Sequence, residues 1–279
     1  RLAKFAKQQL GIRILYYISP QIWAWKANRI KTIQACVDRM AVILPFEKAI
    51  YQQTGVPVSF VGHPLVNKIP DQVDILQTRA NLGLPLNKTL IAMLPGSRRN
   101  EIEKHLPVLA ETAAKLSKDR DDRHFVIPIA GTLDPKLFQP YFKHQTNISF
   151  LQENAIPAVA CSDCVVVASG TASLECALLL KPMCIIYKVS LLTFIAASKL
   201  IKVRYLGLCN LLQNRMIVPE LLQYDCNSDN LSRMIHDLLT NAHYSEQMRS
   251  KLRSMKHSLS ADQADATVAD LVKEELLRA

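Results

Sequence analysis

Short, mostly apolar runs alternate with amphipathic stretches along nearly the whole chain. Leu2, Phe5, Ala6 and Leu10 recur at helical spacing, Gly11 closes that helix, and residues 12–18 read as a strand. Further strands are predicted at 39–44, 58–62, 89–94, 124–130, around 148, at 165–168 and at 182–187. Helical patterns fall between them. A basic helix with Lys26, Arg29 and Lys31 follows the loop at 19–25, and helices are predicted from 45 to Gly55 and near 71–82, 101–118, 135–143, 154–160 and 172–180. Two or three more helices run from about Ser228 to the end. Strand and helix alternating in this way give parallel sheets with helices on both faces, an α/β fold.

Residues 64–70 read as a crossing linker, where the charge balance also changes. The expected division is therefore an N-terminal domain at 1–66, a second Rossmann-like domain at 67–245, and C-terminal helices at 246–279 that pack back towards the first domain. The chain opens inside a helix with no strand before it, which predicts that further N-terminal residues complete the first domain. Residues 188–202 read as an apolar helix with lysine at both ends, a core helix or one lying near a membrane or an acyl chain. The uncharged part, Val189–Ser198, is too short to span a bilayer. The stretches 210–215 and 219–223 read as loops carrying carboxamides, an arginine and an acid.

Two strand-to-helix turns stand out. Val165 to Ala168 is a buried-strand pattern, Ser169-Gly170-Thr171 reverses the chain without bulk, and good helix formers follow up to Pro182. The strand at 89–94 runs into Pro95-Gly96-Ser97-Arg98-Arg99-Asn100-Glu101 before its helix. Turns of this build aim amide groups and a positive dipole end above the sheet, and the second adds two guanidinium groups. At the ends of two strands of one sheet they could converge on a diphosphate. The first turn reads equally well as an ordinary βα turn, and neither matches a phosphate-loop or dinucleotide fingerprint.

Charge sharpens this picture. Of the formal net charge of +10, residues 1–70 contribute ten Lys/Arg against Asp38 and Glu47. Basic surface attracts nucleic acid, anionic lipid or anionic substrate alike, but no RNA-binding motif accompanies it, which argues against nucleic acid. Seven cysteines, several within apolar runs, read as core residues of a reducing compartment, and Cys161-Ser-Asp-Cys164 reads as structural because no second pair matches it. Both tryptophans, Trp23 and Trp25, read as domain core.

Six segments occur in order: SPQIWAW (19–25), LPFEK (44–48), VGHP (61–64), LPGSRRNEI (94–102), ASGTASLE (168–175) and NLLQNRMIVPELLQ (210–223). Together they resemble the lipid-A-disaccharide synthases, and the likeness runs through almost the whole chain. The resemblance implies a GT-B fold, two Rossmann-like parallel-sheet domains facing a cleft, with the first incomplete because the family's Gly-rich first turn and an acidic residue upstream do not occur here. It implies an inverting transfer from UDP-2,3-diacylglucosamine to 2,3-diacylglucosamine 1-phosphate, giving a β-1,6 disaccharide and UDP without metal or cofactor.

The same resemblance assigns roles. Ser97, Arg98, Ser169, Gly170 and Thr171 would hold the diphosphate, with Arg98 neutralising charge on departing UDP. Glu175 would accept from the ribose hydroxyls, and Asn210 would join Arg98 as a catalytic residue. Asn214, Arg215 and Glu220 would complete the UDP site. The base is expected in the upstream part, so that this chain would bind donor without forming disaccharide. His63 and Glu47 are read as structural. A peripheral position on the cytoplasmic face of the inner membrane, against anionic lipid, follows from the basic first domain, and a homodimer stays open. The competing readings are another UDP-sugar enzyme of this architecture, an epimerase or a peptidoglycan-precursor transferase, and a non-catalytic module that binds UDP-sugar or anionic lipid.

Overall fold

The computed structural model describes residues 2–25, 29–118, 120–190 and 204–278. It divides into two compact units. The first holds the described residues up to Lys68 and those from Ser254 onward, and the second holds those from Ile69 to Arg253.

In the first unit, β1 (Leu15–Tyr17), β2 (Arg39–Val42) and β3 (Val58–Phe60) form a parallel sheet in the order β1-β2-β3. Met40, Val42 and Phe60 pack with Ile22, Ile33, Val37, Tyr51 and Val56 into its core. Helix α1 (Leu2–Leu10) buries no residue, and Leu2, Phe5 and Leu10 on its apolar face are exposed. Residues near the carboxyl end of the chain are tied into this unit by charge. Arg13 donates to Glu275 at 2.5 Å, Arg39 donates to Glu274, and Asp265 accepts from Lys48 at 2.5 Å and from the Phe60 amide at 2.8 Å.

The second unit is built on a six-stranded parallel sheet in the order β6-β5-β4-β7-β8-β9. Its strands are β4 (Thr89–Leu94), β5 (Arg123–Ile129), β6 (Ile148–Gln152), β7 (Cys164–Ala168), β8 (Met183–Tyr187) and β9 (Glu220–Leu222). Every residue of β7 is buried, as are five of the six in β4, because helices cover both faces and leave no polar side to the strand. The order fixes where a ligand can sit. From β4 the chain steps outward to β5 and β6, then returns to β4's other side and steps outward again through β7, β8 and β9. The reversal lies between β4 and β7, and crevices open at such switch points beyond the carboxyl ends of the strands. The turns leaving β4 and β7 are those ends.

Several elements depart from the sequence reading. The first strand is three residues long rather than seven. The helix expected at 71–82 starts at Ile75, where the Asp74 carboxylate accepts the Gln77 amide at 3.0 Å as an N-cap. The helix expected at 135–143 is two single 3-10 turns, Pro135–Leu137 and Gln139–Tyr141. Pro140 lacks an amide and disfavours helical backbone at the residue before it, so a continuous helix cannot pass. The stretch read as loops contains a short helix, Leu208–Leu212, and β9 itself. Most of the apolar helix expected at 188–202 lies outside the described residues.

Candidate active site

A cavity of about 340 Å³ lies over the switch point. Leu94, Gly96, Ser97, Arg98 and Glu101 line it from the β4 side, and Ala168, Ser169, Gly170, Thr171 and Ala172 from the β7 side. Pro128, Ile129, Ala130, Glu153 and Ala155 close a third wall from the ends of β5 and β6. The structure thus brings together Ser97, Arg98, Ser169, Gly170 and Thr171. Among the described residues its wall does not include Glu175, Asn210, Asn214, Arg215 or Glu220.

The β7 turn is held from outside itself. Gly170 has φ of +152°, a region closed to most side chains, and heads helix α8 (Thr171–Leu178). The Ser173 amide donates to Gly170 O at 3.1 Å, while those of Thr171 and Ala172, which line the cavity, stand at the positive end of the helix. Ser169 is already used: its amide donates to Ile186 O at 3.0 Å and its hydroxyl to Leu206 O at 3.2 Å. The hydroxyl expected to take a phosphate therefore fastens the turn to the segment above it, leaving Thr171 and the α8 amides as the open donors.

That segment is organised by two residues predicted to contact the substrate. Asn210 is fully buried. Its Oδ1 accepts from the amides of Ile217 at 2.8 Å and Val218 at 2.9 Å, and its Nδ2 donates to Val218 O and to Glu220 Oε1, both at 2.7 Å. A carboxamide has two acceptor positions and two donor hydrogens, and all four are occupied. In this arrangement Asn210 braces the segment. Glu220 continues the brace, accepting from the Leu206 amide at 3.0 Å and the Gly207 amide at 2.9 Å. Asn214 adopts φ of +47°, which asparagine tolerates at a helix end, and it and Arg215 are exposed.

The β4 turn is held locally. Helix α6 (Arg99–Ser117) begins there, and Glu101 in its first turn folds back. Its Oε2 accepts from the amides of Ser97 at 3.3 Å and Arg98 at 3.4 Å, and its Oε1 from Arg98 Nη1 at 2.8 Å. The arginine side chain is otherwise 80% exposed over the cavity. Beneath the turn, buried His105 bridges Pro95 O, at 2.6 Å from Nδ1, to the Lys188 amide, at 3.0 Å from Nε2. Donating through Nδ1 and accepting through Nε2 requires neutral imidazole, and burial lowers its pKa accordingly. Sequence reasoning missed Glu101, His105 and Glu153. Glu101 carried a signal, an acid three residues into a helix opened by a polar turn. Glu153, at φ of +58°, carried none.

In the first unit, Glu47 is buried. One oxygen accepts from Trp23 Nε1 at 3.1 Å, the other has no hydrogen-bond partner, and burial pushes the carboxyl up to about 7. His63 is also buried, its Nδ1 accepts the Leu65 amide at 3.2 Å, and burial lowers its pKa to about 4.

Two parallel sheets, one of them with a cavity at its switch point, define an α/β protein of the GT-B fold. Solved structures agree in fold. A glycotransferase of kitacinnamycin superposes with a TM-score of 0.60 at 12% identity, covering 98% of this chain and 73% of that one. A UDP-GlcNAc 2-epimerase from Neisseria meningitidis, solved bound to UDP-GlcNAc, gives 0.59 at 16% identity, covering 98% and 72%. Sequence is more specific. The family model described as lipid-A-disaccharide synthetase matches residues 1–272. Lipid-A-disaccharide synthase 1 of Legionella pneumophila (strain Lens) is 57% identical over 277 residues, 99% of this chain and 72% of that protein. The lipid-A-disaccharide synthase of Geobacter sulfurreducens is 38% identical over 276 residues, with the same coverage. The chain belongs to the lipid-A-disaccharide synthetase family, glycosyltransferases of lipid A biosynthesis.

Proposed function

We propose that this protein transfers a 2,3-diacylglucosaminyl group from UDP-2,3-diacylglucosamine to the 6-hydroxyl of 2,3-diacylglucosamine 1-phosphate, with the UDP diphosphate seated in the cavity between the β4 and β7 turns. The acceptor oxygen attacks the anomeric carbon from the face opposite the phosphate, the carbon–oxygen bond to phosphate breaks, and a base takes the hydroxyl proton. Negative charge then collects on the leaving diphosphate. The α8 amides meet it without reorganising, as donors fixed in advance stabilise a transition state best, and Arg98 adds a full positive charge from the β4 side. Glu175, one helical turn beyond Thr171 on the same face of α8, is the group proposed for the ribose hydroxyls.

The observation that supports this reading most is the convergence of two anion-accepting turns on one cavity at the switch point. A further part of the proposal concerns location. Among the described residues no helix is long and apolar enough to cross a membrane. The basic balance of residues 1–70, ten Lys/Arg against two acids, supports peripheral attachment to an anionic leaflet, where each well-placed cation adds about 1 kcal/mol.

Titration calorimetry tests the site. UDP is expected to bind the 279-residue chain at millimolar concentration or below, and uridine much more weakly. Equal binding of the two, or none by a folded sample, would remove the diphosphate assignment.

A further inference from the structure

The two turns differ at one equivalent position, the third residue of the helix that follows. In α8 it is Ser173, whose hydroxyl donates to Gly170 O at 2.7 Å and so faces away from the amides. In α6 it is Glu101, whose carboxylate lies on the Ser97 and Arg98 amides and on the Arg98 guanidinium. These are the groups that would take phosphate oxygens. The backbone is shaped to admit the carboxylate: Gly96 has φ of +115°, and a Cβ there would lie 2.5 Å from Glu101 Oε2 and 3.1 Å from Glu101 Cβ.

We infer that Glu101 is a built-in stand-in for phosphate, occupying the anion seat of the β4 turn until the donor's diphosphate displaces it. This rests on the diphosphate reading above. A carboxylate and a phosphate oxygen compete for the same N–H groups, and two anions cannot share one set of donors without repulsion. The empty site therefore keeps its donors satisfied and Arg98 held over the turn, at the expense of donor affinity. Among the described residues the α8 turn has no such occupant. Diphosphate meets open amides on one side and a filled seat on the other.

A carboxylate at this helix position is also a common structural cap. Charge separates the two roles. Glu101→Gln keeps an acceptor oxygen for the Ser97 and Arg98 amides but gives up the charge. Calorimetry should show UDP binding tightened about 3–10-fold and uridine binding unchanged, with a melting temperature close to that of the unsubstituted protein. Glu103→Gln is the control, since Glu103 sits on the same helix but pairs with Arg99 at 2.9 Å. It should shift UDP affinity less than about 2-fold. Unchanged or weakened UDP binding in Glu101→Gln, or equal tightening in both variants, would overturn the inference. Should Glu101→Gln not fold, Glu101→Ser makes the same comparison with the residue α8 carries. Absence of UDP binding by the unsubstituted chain would instead remove the site reading itself, and the stand-in role with it.

Discussion

The β4 and β7 turns face one cavity from opposite sides, yet they are held in opposite ways. The anion-facing amides of the β4 turn are held by a residue four positions from Ser97, Glu101, reaching back over them, while His105 ties Pro95 beneath. The β7 turn is fixed by a chain of contacts from far along the sequence, in which Asn210 holds Glu220, Glu220 holds the Leu206 and Gly207 amides, and Leu206 O takes the Ser169 hydroxyl. A locally braced turn can exchange its brace for a ligand by moving one side chain. A remotely braced turn cannot, and its open amides stay pre-aimed. One side of the site is adaptable and the other rigid.

The comparison can be broken at its strongest point first. Asn210→Ala removes four hydrogen bonds at once and strands buried backbone groups and Glu220. Unpaired buried groups of this kind destabilise by about 1–3 kcal/mol each and are not additive, so a loss of about 3 kcal/mol is expected, a fall of roughly 6–12 °C in melting temperature. UDP binding should weaken with it. A normal melt would show that the brace is dispensable. Next in size is Arg98→Ala. The guanidinium faces solvent and Glu101, so the fold should not change, while loss of a charge-assisted contact to diphosphate should weaken UDP about 10–30-fold and leave uridine unaffected. Equal losses for UDP and uridine would move Arg98 away from the phosphates. The smallest effect belongs to Ser169→Ala, which cuts only the link to Leu206 O. About 1 kcal/mol of stability should go, and UDP affinity should fall less than 3-fold, because the hydroxyl is occupied before the ligand arrives. A loss as large as that of Arg98→Ala would return Ser169 to direct phosphate contact.

What could be read from the sequence followed the same local-versus-remote line. The strands β4, β7 and β8 were legible because burial on both faces writes them as unbroken apolar runs. Both turns were legible because glycine, serine and a change of periodicity sit within a few residues of each other. Asn210 and Glu220 were read as loop residues, whereas they lie in a short helix and in β9 and are bonded to each other and to backbone groups. Nothing local distinguishes a carboxamide satisfied by distant amides from one that waits for a ligand. Glu47 was read as a structural residue at a helix start, but nothing local shows that the Trp23 indole and the surrounding core bury it. The segment near 135–143 was read as one helix, whereas in the chain the amide missing at Pro140 breaks it into 3-10 turns.

The seven cysteines have a consequence of a different kind. All are unpaired and buried, and desolvation holds most of them as thiols, Cys209 pushed up to about 12 and Cys226 to about 11. Only the thiolate reacts at a useful rate, so an alkylating reagent finds little to attack until the surrounding structure opens. Cys36 belongs to the first unit, whereas Cys161, Cys164, Cys176, Cys184, Cys209 and Cys226 belong to the second. The molecule thus carries its own set of clocks. The rate at which each sulfur is labelled, read by mass spectrometry, times the opening of the segment around it, and Cys36 keeps time for one unit while the other six keep it for the other.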